Sequence, residues 1–122
     1  MTLTMITLIL AGLGCIWTGL LAVAFIINPA HGLQLTDHAE NQLPRVMGDR
    51  YVFLVALAVA ALIYGDLKVI AFLYAGFAFL GFADAFIYGR VRKPVTKHIM
   101  AGVSALVVVI FAVVALLTGA RT

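Results

Sequence analysis

The sequence predicts an all-α integral membrane protein, a four-transmembrane-helix bundle with short loops. Three observations carry this reading. Of the 122 residues, 65% are hydrophobic and only 11% charged, whereas a soluble domain carries about 25% charged residues. The mean hydropathy is +1.16. A helix needs roughly 20 residues to cross a bilayer, so 122 residues allow four spans and short connections. Residues 1–122 therefore read as one membrane domain with no separate soluble part. The net charge of +3 sits mostly at the ends of the apolar runs, where basic residues set topology, so no nucleic-acid partner is expected.

The first helix is expected over residues 3–27, without a charge in it. No Lys or Arg precedes it, and it exceeds the roughly 7–15 residues of a signal-peptide core, so it reads as a retained helix. Ala11, Cys15 and Gly19 recur every four residues and form a small-residue stripe for close helix contact. Cys15 is the one cysteine; it excludes an intrachain disulfide and reads as a packing residue. Trp17 lies mid-span, where it either packs in the core or lines a ligand pocket. Asn28-Pro29 ends the helix, because proline lacks the N–H that the ladder needs.

Residues 28–44 form the one long polar connection. Asp37 followed by Glu40 reads as the cap of a short interfacial helix. His31, His38 and Glu40 match no recognised zinc spacing, so the segment reads as solvated loop and no metal is expected. Haem ligation, which needs histidines facing one another within the bundle, is not expected either.

The second helix is expected over 45–64, and its length is informative. Residues 51–65 give an uncharged run of 15, too short to cross a core of about 30 Å at about 1.5 Å per residue. The helix must reach back toward Pro44, a residue suited to a first helical turn. That draws Arg45, Asp49 and Arg50 to the membrane boundary, with Arg45 and Asp49 on one face. Tyr64-Gly65-Asp66-Leu67 makes a tight turn. The third helix follows over 67–89, with a second small-residue stripe at Gly81, Ala85 and Gly89 and with Asp84 inside the span. A basic loop of Arg90, Arg92, Lys93, Pro94 and Lys97 leads to the fourth helix, over 98–118. The connections after the first and third helices carry six Lys and Arg residues, and the opposite side has two, Lys68 and Arg121. By the positive-inside rule both termini lie outside a cytoplasmic (inner) membrane.

An ionisable residue inside a membrane is by default a pointer to function. Folding the second and third helices about Gly65-Asp66 sets Asp84 opposite about Met47, within about a turn of Arg45, Asp49 and Arg50. The basic loop brings His98 to about the level of Tyr88. These six residues read as one cluster near the inner surface, and two roles are open to it. In the first, the charges neutralise one another and pin helix register, since stranding one buried partner costs about 3–5 kcal/mol. In the second, they form the polar end of a ligand cavity. Arginine would hold a carbonyl, phenolate or carboxylate head, and apolar walls would hold the tail. Asp84 would donate or accept a proton, and His98 would exchange protons with the cytoplasm. A ligand site requires an enclosed cavity that reaches Asp84, whereas Asp84 fully paired with arginine and no cavity beside it would rule the site out. No phosphate-binding glycine loop, nucleophile elbow or Cys/His zinc pattern is present.

Arg45-Val46-Met47-Gly48-Asp49-Arg50 at the start of the second helix and Gly81-Phe82-Ala83-Asp84 late in the third resemble the DoxX-like group of small four-helix membrane proteins. The resemblance extends over nearly the whole chain in hydropathy. It implies a four-helix bundle in the cytoplasmic membrane and a link to quinone or thiol redox systems; this chain lacks the cysteine pair of a dithiol role. The small multidrug-resistance transporters are similar in length and hydropathy but rely on a glutamate in their first helix, where this chain has no charge.

The leading expectation is a protein that binds a lipophilic molecule, quinone- or isoprenoid-like, with its head at Arg45, Arg50 and Asp84. Any chemistry would be proton-assisted isomerisation, cyclisation or redox support. Two other classes compete. One is an accessory or assembly subunit, or a homo-oligomer, joined through the small-residue stripes. The other is a proton-coupled transporter with Asp84 as carrier.

Overall fold

The structure, a computed structural model, describes residues 2–119, apart from the side chains at positions 11, 12, 14 and 15. The side chains of Ala11 and Cys15 from the first small-residue stripe, and Arg121 from the charge balance, thus lie outside the described residues. The elements are α1 (Leu3–Ile27), α2 (Pro29–Leu35), a 3-10 turn (Glu40–Gln42), α3 (Leu43–Tyr64), α4 (Leu67–Arg90) and α5 (Thr96–Thr118). No strand occurs among the described residues. Among the described residues, three segments are long and apolar enough to cross a membrane: Glu40–Tyr64, Leu67–Arg90 and Thr96–Thr118. The described part of α1 adds a shorter apolar segment, Ile16–Ile27. Large apolar side chains face outward on all of them, Phe72 being 84% exposed, Leu117 82% and Ile63 81%. Water tolerates contiguous apolar patches of only a few hundred Å², so this surface belongs in lipid, and the chain is a helical membrane protein.

Two compact units make up the chain, Met1–Arg50 and Tyr51–Thr122. In the first, Thr2 caps α1 by accepting from the Met5 N–H. Asn28 both ends α1 and caps α2, its side chain accepting from the His31 N–H at 3.2 Å. Pro29 occupies the first position of α2, where a missing N–H is harmless. A short α-helix thus lies before Asp37, and the 3-10 turn after it has Glu40 in its first turn but Ala39 at its cap with no side-chain capping bond; His31 sits on α2 instead of in a loop. Asp37 has φ +54° and closes α2. Its N–H donates to the Gln34 carbonyl, and the His38 N–H donates to the Leu33 carbonyl. These are the paired bonds of a helix ended through a left-handed residue, and aspartate tolerates that conformation better than most side chains. Gly32 lets α2 lie against α1, because a Cβ there would fall 2.6 Å from the Phe25 ring.

The second unit holds residues 51–64 of α3, then α4 and α5. Gly65, at φ +75°, turns the chain, and Asp66 caps α4 by accepting from the Lys68 N–H at 2.7 Å and the Val69 N–H at 3.4 Å. The closely packed pair is α4 and α5, antiparallel across a seam of small residues. Ala78 and Gly81 on one helix, and Gly102, Ala105 and Ala112 on the other, are buried. Steps alternating between three and four residues keep such a seam facing its partner. The stripe expected at Gly81, Ala85 and Gly89 is corrected accordingly. Each four-residue step drifts about 40° around a helix of about 3.6 residues per turn, so Gly89 has rotated to an exposed position while Ala78 takes its place.

Where the helices cross, the two backbones touch. A Cβ added to Gly81 would lie 2.6 Å from the Gly102 nitrogen and 2.9 Å from the His98 carbonyl oxygen. The hairpin closes with Lys93 N–H donating to the Tyr88 carbonyl at 3.0 Å and Arg92 N–H to the Gly89 carbonyl at 3.1 Å. Arg92 is left-handed, with φ +55°, and Pro94 follows, so α4 cannot continue.

Candidate functional site

The glycine crossing determines what Asp84 meets. Asp84 follows Gly81 by three residues and His98 precedes Gly102 by four, so both side chains leave the crossing toward the same end of the hairpin. Asp84 Oδ2 lies 3.7 Å from His98 Nδ1, the one ion-pair contact within the described residues of this unit. The separation is slightly beyond hydrogen-bond length. The two side chains are 41% and 32% exposed respectively, so both remain accessible. On the other side the His98 ring stacks on Tyr88, with centroids 4.9 Å apart and planes 15° from parallel. That agrees with the sequence register, which set His98 at about the level of Tyr88. His98, an imidazole that donates or accepts, thus contacts both the Asp84 carboxylate and the ring of Tyr88.

An open apolar groove of about 1010 Å³ runs between residues 51–64 of α3 and the first half of α4. Leu54, Leu57 and Ala61 form one wall, and Phe72, Phe77 and Leu80 the other. Tyr64 and Lys68 stand at the end beside the tight turn. On α4 the wall extends as far as Leu80. Asp84 is the next residue along that face, four positions and about 6 Å further at about 1.5 Å per residue. It occupies the border between the helix face toward the groove and the face toward α5. The enclosed cavity expected to reach Asp84 is therefore corrected: this groove stops one turn short of the carboxylate and opens sideways.

No family model matches the chain, and no curated protein or solved structure matches it. The site is thus read from its own geometry. Arg45, Asp49 and Arg50 are exposed on α3 within the first unit, and Trp17, also in that unit, is 64% exposed. Asp84, Tyr88 and His98 belong to the second unit and are brought together there. Among the described residues, no group of three or more His, Cys, Asp or Glu side chains is arranged to hold a metal ion.

The sequence reading placed Asp84 and His98 in one cluster but singled out arginine, not His98, as the direct partner of Asp84; the structure shows the Asp84–His98 contact. Its signal was the pair Gly81 and Gly102, one helical turn from each partner. Two glycines at matching depth in consecutive apolar helices bring the backbones close and set the side chains of the next turn together. The wall of Leu54, Leu57, Phe72 and Phe77 was not legible either, because these residues look like any others in an apolar span.

Proposed function

We propose that this protein is a multi-pass helical membrane protein that binds a lipophilic small molecule, with the polar head at Asp84, Tyr88 and His98 and the tail in the groove between α3 and α4. One observation supports the proposal: the apolar wall from Phe72 to Leu80 ends one helical turn before Asp84 on the same face of α4, and the Asp84 carboxylate is in contact with His98. Ligand sites commonly combine such an apolar wall with a few convergent polar groups. A head bearing a carbonyl or hydroxyl, as in a quinone- or isoprenoid-like molecule, can accept from Tyr88 or His98 and donate to Asp84. If chemistry follows, Asp84 and His98 form an acid–base pair suited to isomerisation, cyclisation or redox support. Contacts between such groups often tighten only when substrate is bound. The reading rests on the second unit alone. The DoxX-like likeness, the count of four spans with α1 as the first, both termini outside and a cytoplasmic-membrane location belong to the same proposal.

Mass spectrometry of small molecules that co-purify in mild detergent tests it. The proposal expects one dominant lipophilic species with wild-type protein, strongly reduced in Asp84→Asn. It also expects that species to be lost in Gly76→Phe, which fills the groove. Only bulk membrane phospholipid, unchanged in both variants, would refute it and favour an assembly subunit. Substrate-driven proton flux in vesicles that Asp84→Asn abolishes would favour a transporter.

A further inference from the structure

The α4–α5 hairpin carries a second feature, separate from the Asp84 groove. Arg90, Arg92, Lys93 and Lys97 place four cations within eight residues, all exposed. Residues 85–97 contain no Asp or Glu, so the turn has no acid of its own to neutralise them. None of the four forms an ion pair within the described residues of this unit; the Arg90 guanidinium instead lies 5.7 Å from the centre of the Phe86 ring, turned back toward the apolar span. The turn is closed by the bonds from Arg92 and Lys93 to the end of α4. These cations are therefore held on a fixed backbone at the rim of two apolar helices.

What flanks the patch identifies its partner. Phe86 and Ile87 on α4, Val91 in the turn, and Ile99 and Met100 on α5 are all exposed apolar side chains within one or two turns of the cations. A partner that satisfies both sets of groups carries phosphate negative charge directly joined to hydrocarbon. We propose that the hairpin binds the headgroup of an anionic phospholipid, with its phosphate between Arg92, Lys93 and Lys97 and its acyl chains against Phe86, Ile87 and Ile99. Basic residues bordering a membrane span attract anionic headgroups with about 1 kcal/mol each. Long basic side chains also reach the phosphate level while their stems remain in the apolar layer.

Native mass spectrometry of the detergent-solubilised full chain, titrated with phosphatidylglycerol or phosphatidylcholine, is the test. Wild-type protein should retain phosphatidylglycerol in preference to phosphatidylcholine. Arg92→Gln with Lys93→Gln should weaken that retention about 30-fold, the equivalent of two such contacts. Lys68→Gln, at the opposite end of α4, should leave it unchanged, and Arg92→Lys, which preserves the charge, should keep most of it. Far-UV circular dichroism identifies any variant that loses helix; the single variants Arg92→Gln and Lys97→Gln then carry the test, each expected to weaken retention about fivefold. Equal retention of the two lipids would overturn the proposal. So would an equal loss in Lys68→Gln, or displacement of the lipid by inorganic phosphate at matched concentration.

Discussion

Adding one methyl group at Gly81 should separate two helices and disturb the candidate site with them. A Cβ there would lie 2.6 Å from the Gly102 nitrogen, 2.8 Å from its Cα and 2.9 Å from the His98 carbonyl oxygen. All three are backbone atoms, which cannot rotate aside. Ordinary contact begins near 3.4 Å, so in Gly81→Ala the helices must part by about 0.8 Å. That would carry Asp84 and His98 beyond the 3.7 Å at which they now stand. Overpacking of this kind costs about 1–3 kcal/mol. Alanine also has a better helix propensity than glycine by about 1 kcal/mol, which offsets part of the cost. Gly76→Ala supplies the control, because nothing lies within 4 Å of its added Cβ and the propensity gain is the same. The difference in stability between the two variants therefore isolates the overlap, at about 1–3 kcal/mol. Reversible denaturant unfolding in mixed micelles, followed by far-UV circular dichroism, measures it. Gly81→Ala at least as stable as Gly76→Ala would refute the close crossing and the placement of Asp84 beside His98 that follows from it.

Two smaller effects follow from helix ends and a third from the contact of α1 with α2. Asp66→Ala removes the acceptor of the Lys68 and Val69 N–H groups and should cost about 1 kcal/mol of stability, with Asp66→Asn close to wild type in the same unfolding assay. Asp37→Gly relieves a left-handed backbone at φ +54° and should stabilise the end of α2 by about 1 kcal/mol; hydrogen exchange at the His38 amide, whose bond to the Leu33 carbonyl closes the helix, should slow. Gly32→Ala brings a Cβ to 2.6 Å from the Phe25 ring, but that neighbour is a side chain able to swing away. Its loss of stability should therefore be smaller than the overlap cost at Gly81.

The helices were legible in the sequence because lipid selects for long uncharged runs. The first run ends where α1 ends, at Ile27, since Asn28-Pro29 admits no other continuation. Other boundaries moved by one to two residues. α3 begins at Leu43 instead of Arg45, α4 extends to Arg90, and α5 begins at Thr96 instead of His98. At α4 and α5 polar residues (Arg90, Thr96 and Lys97) continue a helix beyond its apolar part, which hydropathy does not register, and at α3 Leu43 and Pro44 add to the first turn. Asn28-Pro29 also signalled the start of α2, as a capping residue followed by a proline at the first helical position. Asp37 and Glu40 were misleading because a capping pattern and a left-handed helix end both use aspartate; hydrogen bonds, not spacing, distinguish them. Asp84 stood out as an intramembrane charge. His98 was placed in the same cluster, but its direct contact with Asp84 was not legible, because a partner on another helix depends on how closely two backbones approach, and that depends on Gly81 and Gly102.

Photo-crosslinking tests the central claim, that the groove and Asp84 form one ligand site, most directly. A benzophenone amino acid placed at Leu80 lies at the end of the groove nearest Asp84; at Phe53, an exposed residue outside that lining, it samples ordinary lipid. The account predicts that Leu80 captures one lipophilic molecule with a polar head, that Phe53 does not, and that Asp84→Asn abolishes the capture. The same phospholipid adducts at both positions, unaffected by Asp84→Asn, would contradict it.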